Sequence, residues 1–373
     1  MAVGLFVIII FIATIVTLII LHLPAKRATL DGVVARSLTH FIESAKSETM
    51  APISAKISLS KADAIDHMTV DEIEDVIFED DGVFGSSRIP MRVIQTYATR
   101  KVPPRMKFAM ETIRLHNSRD KIEYRFFDND ECRRFLAECE DEFPNILRAF
   151  ETVKPGAFKA DIFRLAAIYK LGGFYIDASM TIPITDVLRT TNVATLSELV
   201  EHLGNTPLIV CEEKATKFTF SDYRKSVFQA FFAAAPRHRA IKYILEQTIK
   251  RVLSRPRMFH SRQLWLTGPV AFGQFLTEYY KVEFVKDLGP KNVGLLKFWV
   301  KDEFPQSLAL IKNQHSGVLK TFNGGKIAIY TKYRGWLGER PNKSHYSDMV
   351  NRGDSYNSEK FVEAALAASR YDS

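Results

Sequence analysis

Cysteine is scarce in this chain, with 3 among 373 residues, at Cys132, Cys139 and Cys211. That is too few and too scattered for a disulfide framework or a zinc ribbon, both of which need paired, closely spaced cysteines. Cys132 and Cys139 fall on one predicted helix, on roughly the same face but too far apart to bond within it, so buried free thiols are expected. Internal repeats and low-complexity tracts are absent. A composition of 46% apolar and 25% charged residues excludes disorder, collagen and coiled coil. A recognisable module of basic residues interleaved with exposed aromatics is also missing, so nucleic acid is not an expected partner.

The net charge of +8 is what remains after local concentrations cancel. Seven acids and no Lys or Arg lie between Asp71 and Asp81, whereas Arg237 to Arg262 holds eight Lys/Arg against Glu246 alone. A third run, Lys326 to Lys343, carries five basic residues against Glu339. Each run reads first as a solvated face, and the basic ones also suit a diphosphate or an anionic membrane surface.

Val3 to Leu23 is an apolar run of about 21 residues, the length that crosses ~30 Å of hydrocarbon at 1.5 Å per residue. No Lys or Arg precedes it, and it is longer than the core of a cleavable signal peptide. It therefore reads as a retained single-pass anchor, residues 1–23. Lys26 and Arg27 follow at once, which by the positive-inside rule favours a cytoplasmic C-terminal side. Residues 24–87, rich in Ser, Ala and Thr with weak periodicity, read as a stem.

From Arg88 strands alternate with helices. Val93-Ile94 and Tyr124 to Phe127 read as buried strands, and Met106 to His116 as a helix. Asp128-Asn129-Asp130 caps a helix through Glu140, and Pro155 opens another that Gly172-Gly173 stops after Leu171. Phe174 to Ile176, Leu208 to Val210 and Val227 to Phe232 read as further strands, Pro236 to Leu253 and Val270 to Tyr280 as helices. The alternation points to an α/β domain with a mostly parallel sheet over 88–346, followed by a tail, 347–373. Tyr279-Tyr280 and the Phe228/Phe231/Phe232 cluster read as core packing.

The stretch that carries chemistry is FKADIFRLAAIYKLGGFYIDASM, Phe158 to Met180. Phe158, Ile162, Leu165, Ile168 and Tyr169 make one helix face, with Asp161 and Arg164 three apart on another. On a surface such an ion pair is worth about 0–1 kcal/mol. Here, though, the helix leads through Gly172 and Gly173, which allow a tight turn and close approach to a ligand, into a strand ending at Asp177. A carboxylate at the C-terminal end of a strand in an open α/β sheet sits where ligands bind. Asp177 is suited to a divalent cation bridging a diphosphate, and Asp161 and Arg164 to sugar hydroxyls.

Three segments in order, Ile89 to Tyr97 (IPMRVIQTY), Lys159 to Ser179 and Leu266 to Leu276 (LTGPVAFGQFL), resemble glycosyltransferases with the DXD-type sugar-binding region. That group includes yeast initiation-specific α-1,6-mannosyltransferase and mannosyl inositol phosphorylceramide synthases, with capsular-polysaccharide relatives. The resemblance implies a GT-A glycosyltransferase fold, a Rossmann-like sheet flanked by helices. It also implies transfer of a hexose, mannose among them, from a nucleotide-diphosphate sugar to a glycan or glycolipid acceptor, with retention. It further implies an endomembrane, Golgi-type setting with a lumenal catalytic domain, which opposes the local charge signal of Lys26 and Arg27.

By the same resemblance, Tyr97, with Thr96 beside it, is the candidate for the nucleobase. Asp161 and Arg164 are assigned to the donor sugar, and Asp177 to ribose and metal. No side-chain base is required, because the departing phosphate oxygen accepts the acceptor's proton; catalysis is then mostly positioning and charge neutralisation. The chain departs from the pattern where the second Asp is expected: the triplet is Asp177-Ala178-Ser179. A hydroxyl is a weaker ligand for Mn2+ or Mg2+ than a carboxylate. A weaker metal site, compensation by another ligand, or a catalytically silent subunit that binds a partner enzyme or glycan all follow from that change. His345 is a candidate to complete the metal or phosphate site, or an ordinary histidine. Lys332 and Trp336, in KYRGWLGER, are candidates to close over the diphosphate, and Asn342-Lys343-Ser344 is an N-glycosylation sequon.

Overall fold

The computed structural model describes residues 71–72, 75, 88–181, 194–213, 225–257, 264–289, 293–300, 317–321, 327–330, 349–350 and 352–369. All fall in one compact unit, Ala64–Ser373. The apolar run Val3 to Leu23, Lys332, Trp336, the Asn342 sequon and His345 lie outside the described residues. Among the described residues no helix is long and apolar enough to cross a membrane.

Two short strands, β1 (Asp71–Glu72) and β3 (Lys101–Val102), form an antiparallel pair of their own. The main sheet contains β2 (Arg92–Thr96), β4 (Glu123–Phe127), β5 (Gly173–Ile176), β6 (Leu208–Glu212), β7 (Phe231–Ala234), β8 (Gly294–Val300), β9 (Gly317–Thr321) and β10 (Ile327–Tyr330). Its order is β10-β9-β8-β6-β7-β5-β2-β4. The β2–β4, β2–β5 and β6–β8 pairings are parallel, and the other four are antiparallel. The strands therefore share one direction except β7 and β9, which run against it: mostly parallel by direction, mixed by pairing.

Eight helices connect and cover the described strands: α1 (Pro104–His116), α2 (Asn129–Ala137), α3 (Ile146–Thr152), α4 (Gly156–Leu171), α5 (Leu196–His202), α6 (Arg239–Leu253), α7 (Pro269–Tyr280) and α8 (Glu359–Ser369). The strand alternation divides them into two layers. Phe174 and Ile176 of β5 join the cluster formed with α1 and α5, while Tyr175 between them joins Ile94, Phe232 and the residues of α2, α3, α4, α6 and α7. With both faces covered, the central strands are apolar throughout, which is why they read as continuous hydrophobic runs.

Helix α4 is the element that matters most for the site. It lies between the sheet and the outer helices, so every position from Asp161 to Tyr169 is buried, Arg164 included, as is Phe158 one turn earlier. A helix hidden on all sides has no solvated face, and the Asp161–Arg164 pair is a buried ion pair rather than the surface pair its spacing alone allows. Pro155 precedes its first turn and Gly172 ends it at φ +65°. A Cβ on Gly172 would meet Pro236 Cδ at 2.7 Å and Pro90 Cδ at 2.9 Å, and one on Gly173 would meet the Arg92 carbonyl oxygen at 2.5 Å. The two glycines are there for backbone packing.

Most expected elements are present, with displaced ends. Helix α2 begins on the Asp128 cap, whose side chain accepts from the Asp130 and Glu131 amides, each at 3.0 Å. It stops at Ala137 rather than Glu140, so Cys139 lies past its end; Cys132, Cys139 and Cys211 are all buried free thiols. The apolar run Val227 to Phe232 becomes strand only from Phe231, after a turn, and α6 starts at Arg239 rather than Pro236. The stretch expected as a tail carries α8. It docks on α3 through Arg148, paired with Glu359 at 2.8 Å and Glu363 at 2.6 Å, and through the Asn357 amide, which donates to the Thr152 carbonyl at 2.8 Å.

Candidate functional site

Asp177 leaves the C-terminal end of β5, where its amide donates to the Ala230 carbonyl at 2.9 Å. By the two-residue period of a strand it shares a face with Tyr175, the face covered by α4. That register delivers its carboxylate to Arg164. Arg164 Nη2 lies 3.1 Å from Asp161 Oδ1 and 3.4 Å from Asp177 Oδ1. The other guanidinium nitrogens are also engaged: Nη1 donates to the Gln229 carbonyl at 2.8 Å and Nε to the Ala160 carbonyl at 3.2 Å. The guanidinium carbon sits 4.5 Å from the centre of the Tyr175 ring, and the Tyr175 hydroxyl donates to Asp177 Oδ1 at 3.0 Å. One buried cation thus ties together the helix carboxylate, the strand carboxylate and the aromatic between them.

The electrostatics follow from burial. Desolvation pushes the Asp161 carboxyl up to about 7, against the pull of Arg164 and of the Thr267 hydroxyl, which donates to Asp161 Oδ2 at 2.8 Å. Burial alone would lower Arg164, but Tyr175, Asp177 and Asp161 outweigh it and hold the guanidinium above its ordinary value. The Tyr175 phenol is driven well above its ordinary range by burial and by Asp177, so it stays a donor. Asp177 is the partly open member, with 28% of its side chain exposed. Tyr175 and Arg164 take its Oδ1; among the described residues none donates to Oδ2. Ser179, half-buried two residues on, lies in the turn that follows.

The structure therefore brings Asp161, Arg164 and Asp177 together, with Ser179 beside Asp177. Thr96 and Tyr97 end β2, the strand next to β5, so they share that sheet edge. The Thr96 hydroxyl is turned inward, donating to the Phe127 carbonyl at 2.7 Å, while the Tyr97 ring packs half-buried on the α1/α5 layer. Gly172 and Gly173 are not brought to the cluster. They join α4 to β5 at the end opposite Asp177, where they pack against Pro90, Arg92 and Pro236. The basic run is not a single patch either: Arg237 and Lys242 face Glu142, Arg251 stacks on Trp265 and Phe275, and Arg255 pairs with Glu359.

Four side chains at this site were not singled out from the sequence. Tyr175 had a signal, since a residue two before a strand-end carboxylate shares its face. Gln95, fully buried, lies 3.4 Å from the Asp177 carbonyl through Nε2 and accepts from the Tyr124 hydroxyl; a lone Gln in a buried strand asks for such partners. Thr267 and Gln229 come from segments remote in sequence. Gln229 Nε2 donates to the Thr267 carbonyl at 2.9 Å, and the Thr267 loop is held further by Arg251 Nη1, 2.7 Å from the Trp265 carbonyl.

For a divalent cation the described residues offer one carboxylate oxygen at Asp177 and one hydroxyl at Ser179; no group of three His, Cys, Asp or Glu residues converges among them. That set suits a cation completed by a diphosphate's oxygens and water, the usual arrangement for Mg2+, rather than an all-protein cage.

Residues 103–190, which hold α4, β5, Asp161, Arg164 and Asp177, match the family model described as glycosyltransferase sugar-binding region containing DXD motif. The chain thus carries a glycosyltransferase-type sugar-binding region. No curated protein matches the chain. A solved structure described as PaToxG Glycosyltransferase is similar over 52% of this chain and 71% of that one, at 13% identity and a TM-score of 0.34.

Proposed function

We propose that this protein is a membrane-anchored glycosyltransferase that moves a hexose from a nucleotide-diphosphate sugar to a glycan or glycolipid acceptor, with retention. The observation that carries the reading is Arg164, buried in the matched region and shared between Asp161 and Asp177 at the C-terminal edge of the sheet. An open α/β sheet binds its ligand at that edge. Arg164 and Tyr175 engage Asp177 Oδ1, and the other oxygen of this partly exposed carboxylate is the one we assign to ribose hydroxyls and metal. Asp161 and Arg164, both nearly closed off, are the residues we assign to the donor sugar. Tyr97, which follows the adjacent strand, is our candidate for stacking on the nucleobase.

A divalent cation, Mn2+ or Mg2+, held by Asp177 with Ser179 as the weaker donor and His345 as the candidate third ligand, would neutralise charge on the leaving diphosphate. Lys332 and Trp336 are proposed to cover that diphosphate. Preorganised charge and positioning supply the catalysis, without a side-chain base. The anchor would be Val3 to Leu23, in an endomembrane, with the sheet domain on the lumenal side.

A second reading, a silent subunit that binds a glycan or a partner enzyme, is favoured by one feature: the second carboxylate of the metal motif is replaced by Ser179. Hydrolysis of a panel of nucleotide sugars in the presence of Mn2+ separates the two. Turnover that disappears in Asp177→Asn supports the enzyme; a folded protein that turns over no donor supports the subunit.

A further inference from the structure

The Gln229 carboxamide is almost wholly enclosed, at 2% exposure, yet its oxygen receives no hydrogen bond among the described residues. Its orientation is not ambiguous. Nε2 donates to the Thr267 carbonyl at 2.9 Å, and a flipped amide would set oxygen against oxygen there. Nor is the residue free to turn away. A Cβ on Gly273 would meet the Lys225 carbonyl oxygen at 1.2 Å, so α7 rests directly on the chain leading to Gln229, and the Val227 amide donates to the Pro269 carbonyl at 3.1 Å. Leaving a buried acceptor unpaired is unfavourable, and nearly all such groups in folded proteins have a donor.

The placement indicates what supplies that donor. The Gln229 carbonyl accepts from Arg164, the Thr267 hydroxyl bonded to Asp161 sits on the residue Gln229 holds, and the next residue, Ala230, pairs with the Asp177 amide. Gln229 is thus one link from every member of the Asp161–Arg164–Asp177 cluster. We propose that Gln229 Oε1 accepts a hydrogen bond from one hydroxyl of the sugar being transferred and selects donors by that hydroxyl. This assignment rests on the glycosyltransferase reading above and adds a specificity-determining residue to it. Arg164 and Asp161 are closed into their own network, whereas Gln229 has an acceptor to offer. A site built to bond a hydroxyl discriminates strongly against the analogue lacking it, because the buried partner is then stranded.

The test compares the full-length protein with Gln229→Met, using the nucleotide sugar that is turned over and its analogues singly deoxygenated at each sugar carbon. In the wild type one analogue should lose about 10–100-fold in kcat/KM relative to the parent sugar, the cost of one stranded acceptor. In Gln229→Met that analogue and the parent should be used equally well, while penalties at the other positions stay as in the wild type. Gln229→Asn, which retains the amide and retracts the oxygen by one methylene, should lose the same selectivity if the Met variant does not fold. A penalty pattern identical in wild type and variant overturns the proposal alone, and is the outcome if an ordered water satisfies Oε1. Failure of the folded wild type to bind any nucleotide sugar by calorimetry overturns it together with the function on which it rests.

Discussion

Replacing Asp161 by Asn tests whether burial or the Arg164 ion pair governs this carboxyl. The carboxyl titrates near 7 when folded, mainly because it is desolvated, against 3.8 when exposed. Between those values the folded chain binds a proton that the unfolded chain does not, so unfolding becomes easier as pH rises. The contribution is fully present below about pH 4, decays at about 1.4 kcal/mol per pH unit, and is gone above about pH 7, a total of about 4 kcal/mol. The carboxamide of the variant cannot titrate. Urea denaturation of both proteins from pH 4.5 to 8 should therefore show the wild-type stability falling relative to Asp161→Asn as pH rises, then levelling off above about 7. The difference cancels titrations common to both proteins. Were the Arg164 pair dominant, the folded carboxyl would titrate below 3.8, the wild type would gain on the variant only below about pH 4, and the difference would stay flat from pH 4.5 to 8; a flat difference refutes the argument.

Three further outcomes are expected. Gly273→Ala should unfold the protein or cost more than about 3 kcal/mol in a denaturant titration, because its Cβ would lie 1.2 Å from the Lys225 carbonyl oxygen, a backbone atom that no rotamer change can move. Glu151→Ala should cost about 3 kcal/mol, since Glu151 is fully buried between Arg133 at 2.6 Å and Lys159 at 2.8 Å, and truncation strands the mostly buried Lys159 ammonium while the more open Arg133 keeps its pair with Asp130; the midpoint of a urea melt reads this directly. Cys132, Cys139 and Cys211 should resist a thiol reagent at pH 8 until the chain unfolds, because burial pushes Cys132 up to about 12 and Cys139 up to about 11; rapid stoichiometric labelling of the native protein would contradict this.

Which parts of the site could be read from the sequence depends on how local the cause is. Helix α4 is bounded by Pro155 and Gly172, and β5 follows without a gap, so the approach of Asp177 to the end of a strand is written in consecutive residues. Even there, Gly172-Gly173 can be read two ways. Glycine signals a constraint on the backbone, but whether a ligand or Pro90, Arg92 and Pro236 imposes it depends on segments far away in the chain. The run from Val227 to Ala235 lacks punctuation, so where strand begins within it is decided by hydrogen bonds to β5 and β6, not by composition. Thr267 is the extreme case: its bond to Asp161 spans 106 residues, and nothing in Leu266 to Leu276 marks that hydroxyl as different from any threonine before a helix. The cluster is nevertheless over-determined once folded, because each remote partner is itself fixed by a second contact: Thr267 by Gln229, Gln229 by the packing of α7 on Lys225, and Asp177 by the Ala230 carbonyl beside it. A change that loosens α7 should therefore reach Asp177 without touching it.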